Sequence, residues 1–389
     1  MIGQYKYLIM DLKFTALEIG SGDAFLLEDS ENNWNCLFDA GGSKSTIVTL
    51  LKKKFKKRKN NKLNLAICSH NDIDHTNGFI GLLQSDIEID EIWLPGTWAS
   101  VLKYVEDNGV GPDEIECMVN VEKEYFGQDS ECPRIRENDK STIANLLDSE
   151  TAVSIEDFDE SLAAISEVIE LESHDFSMKW FLYNHYYWHR REKNMGAGHP
   201  SLLLALNKIT LIGGLAYRKG CKIRWFNPFG PCNKKMIDYG FVALNSSKMM
   251  QVQKPKNAYS FAFLCCLTVE NVYSIVFEYC DNDTPIIRFS ADSDCYAQSV
   301  SPYPENIIVT APHHGSEAND RVYRMLQGNK IIWVRSDRKS SKRPCQAFKN
   351  LDNKYCLACY QKNSKCEICF TYDHSSKRWE YQNGIACHC

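Results

Sequence analysis

Several features common in proteins are missing from this sequence. No run approaches the ~18 consecutive apolar residues of a membrane-spanning helix, so no membrane partner is expected. Positive charge is not in excess. The net charge is −5 and the pI near 6.1, so the chain as a whole is no generic polycation for nucleic acid, although a local basic face stays open. Neither an internal repeat nor a low-complexity linker is evident. A leader pattern is absent as well: MIGQYKYLIM (Met1–Met10) carries a lysine inside its apolar stretch and no small-residue cleavage motif, so a cytoplasmic location is expected. A 389-residue chain that is 44% hydrophobic and 24% charged is ordinary for a globular protein, which excludes collagen-like, disordered and coiled-coil classes. Cysteine, by contrast, is abundant, with 17 residues. In a reducing compartment these are buried thiols or metal ligands rather than disulfides.

The hydrophobic pattern reads as α/β. Phe14–Leu27 (FTALEIGSGDAFLL) is strand, turn, strand, and WNCLFD (Trp34–Asp39) is a third apolar run stopped at Gly41-Gly42. Ser43 is placed to cap a helix running through Leu51 and Phe55. LNLAIC (Leu63–Cys68) is a buried-type strand, with a helix expected from Gly78. Residues from about 101 to 195 are acidic, with helix-like stretches such as Ser161–Leu171, and end in FLYNHYYWHRREK (Phe181–Lys193); they read as an insertion or lid. Strand-like runs resume at LLLALN after Ser201 and continue at IRWFNP, SFAFLCCL, YSIVFEY, IIRFSAD and NIIVTAPHHGS.

Chemistry concentrates at the ends of those strands. His70-x-Asp72-x-Asp74-His75 places four metal-ligand types in six residues after LNLAIC, where a turn would let them converge. Ala311-Pro312-His313-His314-Gly315-Ser316 follows another apolar run, with glycine permitting a tight turn. Asp292 ends IIRFSAD and is the candidate bridging carboxylate for two metals, with Asp294 two residues away as an alternative. Asp39 is a further strand-end carboxylate, suited to hydrogen-bonding the neighbouring ligand loops.

The ordered set EIGSGD (Glu18–Asp23), FDAGG (Phe38–Gly42), SHNDIDH (Ser69–His75), FSAD (Phe289–Asp292) and APHHGS resembles a metallo-β-lactamase-fold hydrolase, and more narrowly the hydrolase domain of ComEC-type DNA-uptake proteins. The resemblance implies a four-layer αββα sandwich over residues 1–345, with a helical insertion at about 101–195, and a Cys-rich segment 346–389 closing the fold. It implies His70, Asp72, Asp74, His75, Asp292 and one or both of His313 and His314 as metal ligands for two divalent ions, zinc or manganese. Asp74, Asp292 and His314 would take direct catalytic parts and Ser316 would support them. The chain departs from the wider superfamily: Asp72 stands where a histidine is usual. A separate histidine ligand is also missing, since His174, His185, His189 and His199 follow no strand-end motif.

The activity so implied is metal-dependent hydrolysis by a metal-activated water, in particular by a phosphodiesterase or nuclease acting on a nucleic acid or nucleotide. Two rivals stay open. One is a small-molecule hydrolase acting on a cyclic nucleotide or phosphoester. The other is a regulatory metal-binding subunit with protein partners, as in a bacterial antiviral defence system. Lys52–Lys62 holds eight basic residues in eleven; Lys53, Lys56 and Lys57 read either as phosphate contacts or as a solvated helix face. Cys356, Cys359, Cys366 and Cys369 form two CxxC pairs. They read either as an additional structural zinc site or, for the latter two, as strand residues of a closing hairpin with Ser375-Ser376 at its turn.

Overall fold

The computed structural model describes residues 12–58, 60–108, 147–155, 158, 199–228, 235–255, 273–295, 303–326, 330–338, 343–360, 367–382 and 387. Along the chain, β1 (Leu12–Ala16), β2 (Phe25–Asp29), β3 (Trp34–Phe38), α1 (Lys44–Arg58), β4 (Lys62–Ile67), α2 (Ile73–Gln84), β5 (Glu88–Pro95) and α3 (Gly96–Asn108) come first. They are followed by β6 (Leu147–Ser154), α4 (His199–Arg218), β7 (Lys222–Asn227), β8 (Phe241–Ala243), β9 (Ser247–Lys248) and β10 (Gln251–Pro255). The remainder holds β11 (Phe277–Asp281), β12 (Thr284–Phe289), β13 (Ile308–Thr310), α5 (Asp320–Met325), β14 (Ile332–Arg335), α6 (Gln346–Lys349), β15 (Lys354–Cys356), α7 (Leu357–Tyr360), β16 (Ile368–Asp373) and β17 (Arg378–Tyr381). The chain is mixed α/β, with large multi-stranded sheets and few helices.

It divides into two compact units. Met1–Trp93, Pro231–Ser247 and Asn271–Cys389 form the first, and Leu94–Gly230 with Lys248–Glu270 the second. In the first unit one sheet runs β17-β16-β1-β2-β3-β4-β5, antiparallel as far as β3 and parallel from β3 to β5. A second sheet runs β15-β14-β13-β12-β11-β8, parallel from β15 to β12 and antiparallel beyond. Aromatic side chains weld the two sheets. Phe38 of β3 stacks on Phe289 of β12 at 4.5 Å, and Trp93 of β5 meets Phe277 of β11 at 5.3 Å. Each such ring is almost wholly buried and stabilises the fold by roughly 1.5–3 kcal/mol.

The parallel strands of both sheets end on the same face, and the loops leaving β3, β4, β12 and β13 carry Asp39, His70, Asp292 and His314. That is why chemistry-bearing residues far apart in sequence meet at one sheet edge. The hairpin β16–β17 lies against β1, pairing Phe370 with Phe14, and Ser375 and Ser376 in its turn donate to Asp373. In the second unit β10 pairs antiparallel with β6, and Phe158 packs on Trp225 of β7 at 5.7 Å.

Two local expectations are corrected. LLLALN is not a strand but part of α4, a helix of 20 residues. Buried apolar positions continue from Leu206 to Ile209, Ile212 and Ala216, a spacing of three and four residues that is helical and outlasts a strand. The helix expected from Gly78 begins earlier, at Ile73, with Asp72 as N-cap in extended conformation. Asp74 and His75 therefore stand in a first helical turn, not on a free loop. Ser161–Leu171, Phe181–Lys193 and SFAFLCCL lie outside the described residues. Among the described residues, no helix is long and apolar enough to cross a membrane.

Candidate metal centre

Each ligand loop is fixed by its backbone before its side chains matter. Ala40 N–H donates to His75 O at 3.0 Å, and Asp23 N–H donates to Asp74 O at 3.2 Å. A Cβ on Gly22 (φ +89°) would lie 1.6 Å from Asp74 O, so only glycine lets the GSGD loop lie against the His70–His75 segment. His313 N–H donates to Ala291 O at 2.9 Å, which joins the loops after β12 and β13. Asp39, Ala291, His313 and His314 all have φ between 46° and 56°, and Gly315 follows at 81°. Left-handed backbone at residues with a Cβ costs on the order of 1 kcal/mol each, and here it clusters at the strand ends that converge.

Asp292 lies at the centre, almost wholly buried, and its two oxygens face different neighbours. Oδ1 is 3.2 Å from His75 Nε2 and 3.6 Å from His314 Nε2. Oδ2 is 3.8 Å from His70 Nε2 and 3.5 Å from His313 Nε2. Asp74 Oδ2 lies 3.2 Å from His314 Nε2, and Asp72 Oδ2 lies 3.7 Å from His70 Nε2.

The tautomers follow from the backing groups. Asp39, an acceptor, takes hydrogen bonds from Ser69 N–H (2.8 Å), Ser69 Oγ–H (2.7 Å) and His75 Nδ1–H (2.8 Å). Since the Ser69 hydroxyl proton goes to Asp39, its lone pair receives His70 Nδ1–H at 2.9 Å. Asp23 Oδ1 accepts from His314 Nδ1–H at 3.1 Å and from the Ser336 hydroxyl. Three rings are thus turned so that Nε2 faces Asp292. Such backing of ring nitrogens is the usual way metal-ligating imidazoles are oriented.

The charges agree with a cation. Burial would raise the Asp292 carboxyl, but His314 and His75 outweigh it and hold the group well below the usual carboxylate range. Burial opposes protonation of His75, yet Asp292 and Asp39 push its pKa well up. His314 rises to about 10, with Asp23 and Asp292 overcoming its burial. Asp74 and Asp72 are lowered too, as their histidine neighbours overcome partial burial. A concentration of buried carboxylate charge demands positive charge, supplied by protons on the rings or by a metal that displaces them.

The geometry fits a metal. His75 Nε2 and His314 Nε2 are 3.0 Å apart, a distance at which two unprotonated nitrogens repel unless a cation or a shared proton lies between them. Asp292 Oδ1 and His70 Nε2 are buried without a hydrogen-bond partner. Asp23, His75, Asp292 and His314 offer ligand atoms within 4.8 Å of one another and could hold a metal ion; His70, Asp72 and Asp292 form a second such group. Within the first group, Asp23 Oδ1 engages the Nδ1 edge of His314. Its chemistry there is to orient that ring rather than to ligate.

His313 differs from the other three rings. Its Nδ1 pairs with Asn319 Oδ1 at 3.2 Å, and its Nε2 faces Arg343 Nη2 at 2.9 Å. Burial and then Arg343 lower its pKa, against the pull of Asp292. Ser316 N–H donates to His313 O, and its hydroxyl accepts from Ala318 N–H at 3.3 Å, capping the next turn. Asp294 belongs to neither ligand group.

Asp23, Ser336 and Arg343 did not emerge from the sequence as site residues. Asp23 lay inside the quoted EIGSGD, but its partner His314 is 291 residues away, and no local pattern marks such a contact. Of the basic run, Lys54 pairs with Glu367 at 2.6 Å, Lys62 with Asp90 at 2.8 Å and Lys52 with Asp86, while Lys53 and Lys56 are exposed on α1. The Lys57 side chain lies outside the described residues, as do Cys366 and the side chains of Cys359 and His199; His174, His185 and His189 are also outside. Cys356 in β15 receives Arg335 Nη1 at 3.2 Å, and Cys369 in β16 contacts Thr15 Oγ1 at 3.6 Å, so the two described cysteines of the CxxC pairs lie in different sheets. No protein-family model matches the chain, and no curated protein matches it.

Proposed function

We propose that the chain is a metal-dependent hydrolase of the metallo-β-lactamase fold, with an αββα core, acting on phosphodiesters. The observation that carries this reading is the division of Asp292 between two groups of potential ligands, its Oδ1 facing His75 and His314 and its Oδ2 facing His70, beside which Asp72 lies, with Asp74 next to His314. Such an arrangement suits two divalent ions, zinc or manganese, that share one carboxylate. When bound, they would supply Lewis-acid activation of water at neutral pH and neutralise charge on phosphate oxygens.

The side chains have separable tasks. His75 and His314 are held in one orientation by Asp39 and Asp23, so no rearrangement is needed to present Nε2. Asp74 is 30% exposed and has a depressed pKa, so it stays ionised. Its part is to accept a hydrogen bond from the attacking water and to aim it. Arg335, fully buried, donates from Nε to His314 O at 2.5 Å and fixes the left-handed turn.

A small phosphoester or cyclic nucleotide is the second reading of the substrate. The acidic partners of Lys52, Lys54 and Lys62 support it, because they reduce the positive charge that α1 offers a polynucleotide backbone. The test is cleavage of single- and double-stranded oligonucleotides and cyclic dinucleotides with added Mn²⁺, Mg²⁺ or Zn²⁺. Turnover that requires metal and disappears in Asp292→Ala and His75→Ala is expected. Equal rates in those variants would reject the hydrolase assignment.

A further inference from the structure

Arg343 reaches the centre from a segment that the ligand motifs do not include. Cys345 N–H donates to Gly315 O at 2.7 Å, and a Cβ on Gly315 would lie 3.2 Å from Pro344 Cβ. The Arg343–Cys345 segment is therefore seated on the His313–Gly315 turn. From there Arg343 Nη2 meets His313 Nε2 at 2.9 Å, and that same nitrogen lies 3.5 Å from Asp292 Oδ2. A guanidinium thus stands one imidazole away from the carboxylate shared by both ligand groups.

Its position is at the rim. His313 is 18% exposed, whereas His75 and His314 are wholly buried. Asp72, 47% exposed, marks the same open side of the cluster. A substrate entering there meets carboxylates first, which would repel an anion. Arg343, half-buried, brings a positive charge to that side.

We infer that Arg343 is the residue that recognises a phosphate group at this centre, binding its non-bridging oxygens while one edge of the guanidinium remains on His313. A guanidinium carries five donors in a planar fork that matches two phosphate oxygens, which a lysine cannot reproduce. Asn319 takes part as a positioning residue. Its Nδ2 donates to Asp292 O at 3.2 Å and Ser293 O at 3.1 Å, and its Oδ1 pairs with His313, so the ring that faces Arg343 is fixed to the Asp292 loop. The assignment rests on the phosphodiesterase reading and specifies which side chain selects its substrate class.

The experiment uses the full chain loaded with Mn²⁺. Binding of inorganic phosphate is followed by calorimetry, and metal content by elemental analysis, in wild type, Arg343→Lys and Arg343→Gln. In parallel, KM and kcat are measured on bis(4-nitrophenyl) phosphate. Charge-assisted hydrogen bonds are lost in the glutamine variant, so phosphate binding is expected to weaken by roughly 10- to 100-fold, with KM rising more than kcat falls. Lysine should recover only part of the loss, and metal content should match wild type in both variants. Phosphate binding equal to wild type in Arg343→Gln overturns the assignment. So does a loss of metal in that variant, which would make Arg343 a support for the ligand turn, or an absence of phosphate binding in wild type. If wild type binds phosphate through Arg343 but cleaves no phosphodiester, the hydrolase reading fails and the anion site stands.

Discussion

The two sides of Asp292 are built differently. On the Oδ1 side, His75 and His314 are wholly buried and each is backed by a carboxylate, Asp39 or Asp23. On the Oδ2 side, His70 is backed by a serine hydroxyl, His313 by an amide, and Asp72 is 47% exposed. Carboxylate backing raises the basicity of an imidazole more than a hydroxyl or an amide does. On the proposed two-metal reading, the first side would hold its cation more tightly than the second, and Asp292 would serve both.

This contrast can be broken in a graded series. Asp292→Ala removes what both sides share; it should abolish stoichiometric metal in elemental analysis and lower metal-dependent turnover by about 10³-fold or more. Next in size is an unequal pair. His75→Ala should lose the tightly held metal, while Asp72→Ala should keep one equivalent through dialysis and lose only the weaker one. Equal losses would erase the distinction between the sides. Smaller again are the backing groups. Asp39→Asn and Asp23→Asn should weaken metal affinity by about 10- to 100-fold in competition titrations, and Ser69→Ala by less than either.

The smallest expected effect is in pH dependence. His314 has a pKa raised from 6.5 to about 10, so in the metal-free protein its stabilising contribution is full below about 6.5 and fades as pH rises toward 10. The carboxylates Asp23 and Asp292 have lowered pKa values, so their contribution is already full above about 4 and does not change in that window. A metal needs the His314 ring without its extra proton, and so binds more tightly over the same interval. The gap in Tm between metal-loaded and metal-free protein should widen from pH 6.5 toward about 9 in thermal melts. A constant gap would mean that metal does not displace the ring proton.

Legibility in the sequence followed distance along the chain. SHNDIDH, FSAD and APHHGS were visible because apolar strand runs precede them, and β4, β12 and β13 lie where those runs predict. The role of Asp39 was also readable, since its partners Ser69 and His75 leave the adjacent parallel strand β4. What escaped detection depends on contacts between segments apart in sequence, by hundreds of residues for Gly22 and Asp23 and by 30 for Arg343 and His313. Asp23 meets His314 and Ser336, Gly22 N–H donates to Asp337 at 3.1 Å, and Arg343 meets His313 after a chain reversal that no local pattern encodes. The start of α2 was misplaced for a different reason: a His/Asp-rich segment reads as a loop, yet Asp72 occupies the N-cap position, its carbonyl accepting from His75 and Thr76 N–H, and Asp74 suits a helix N-terminus.

The pairing of Asp23 with a histidine 291 residues later has a consequence for how the protein is made. A ribosome that has released the chain as far as Asp292 has delivered His70, His75 and their shared carboxylate, but not His314, and Asp23 still has no ring to hold. The β16 strand that covers β1 emerges later still. An unfinished or truncated chain therefore cannot assemble the His/Asp cluster, which is completed only late in synthesis.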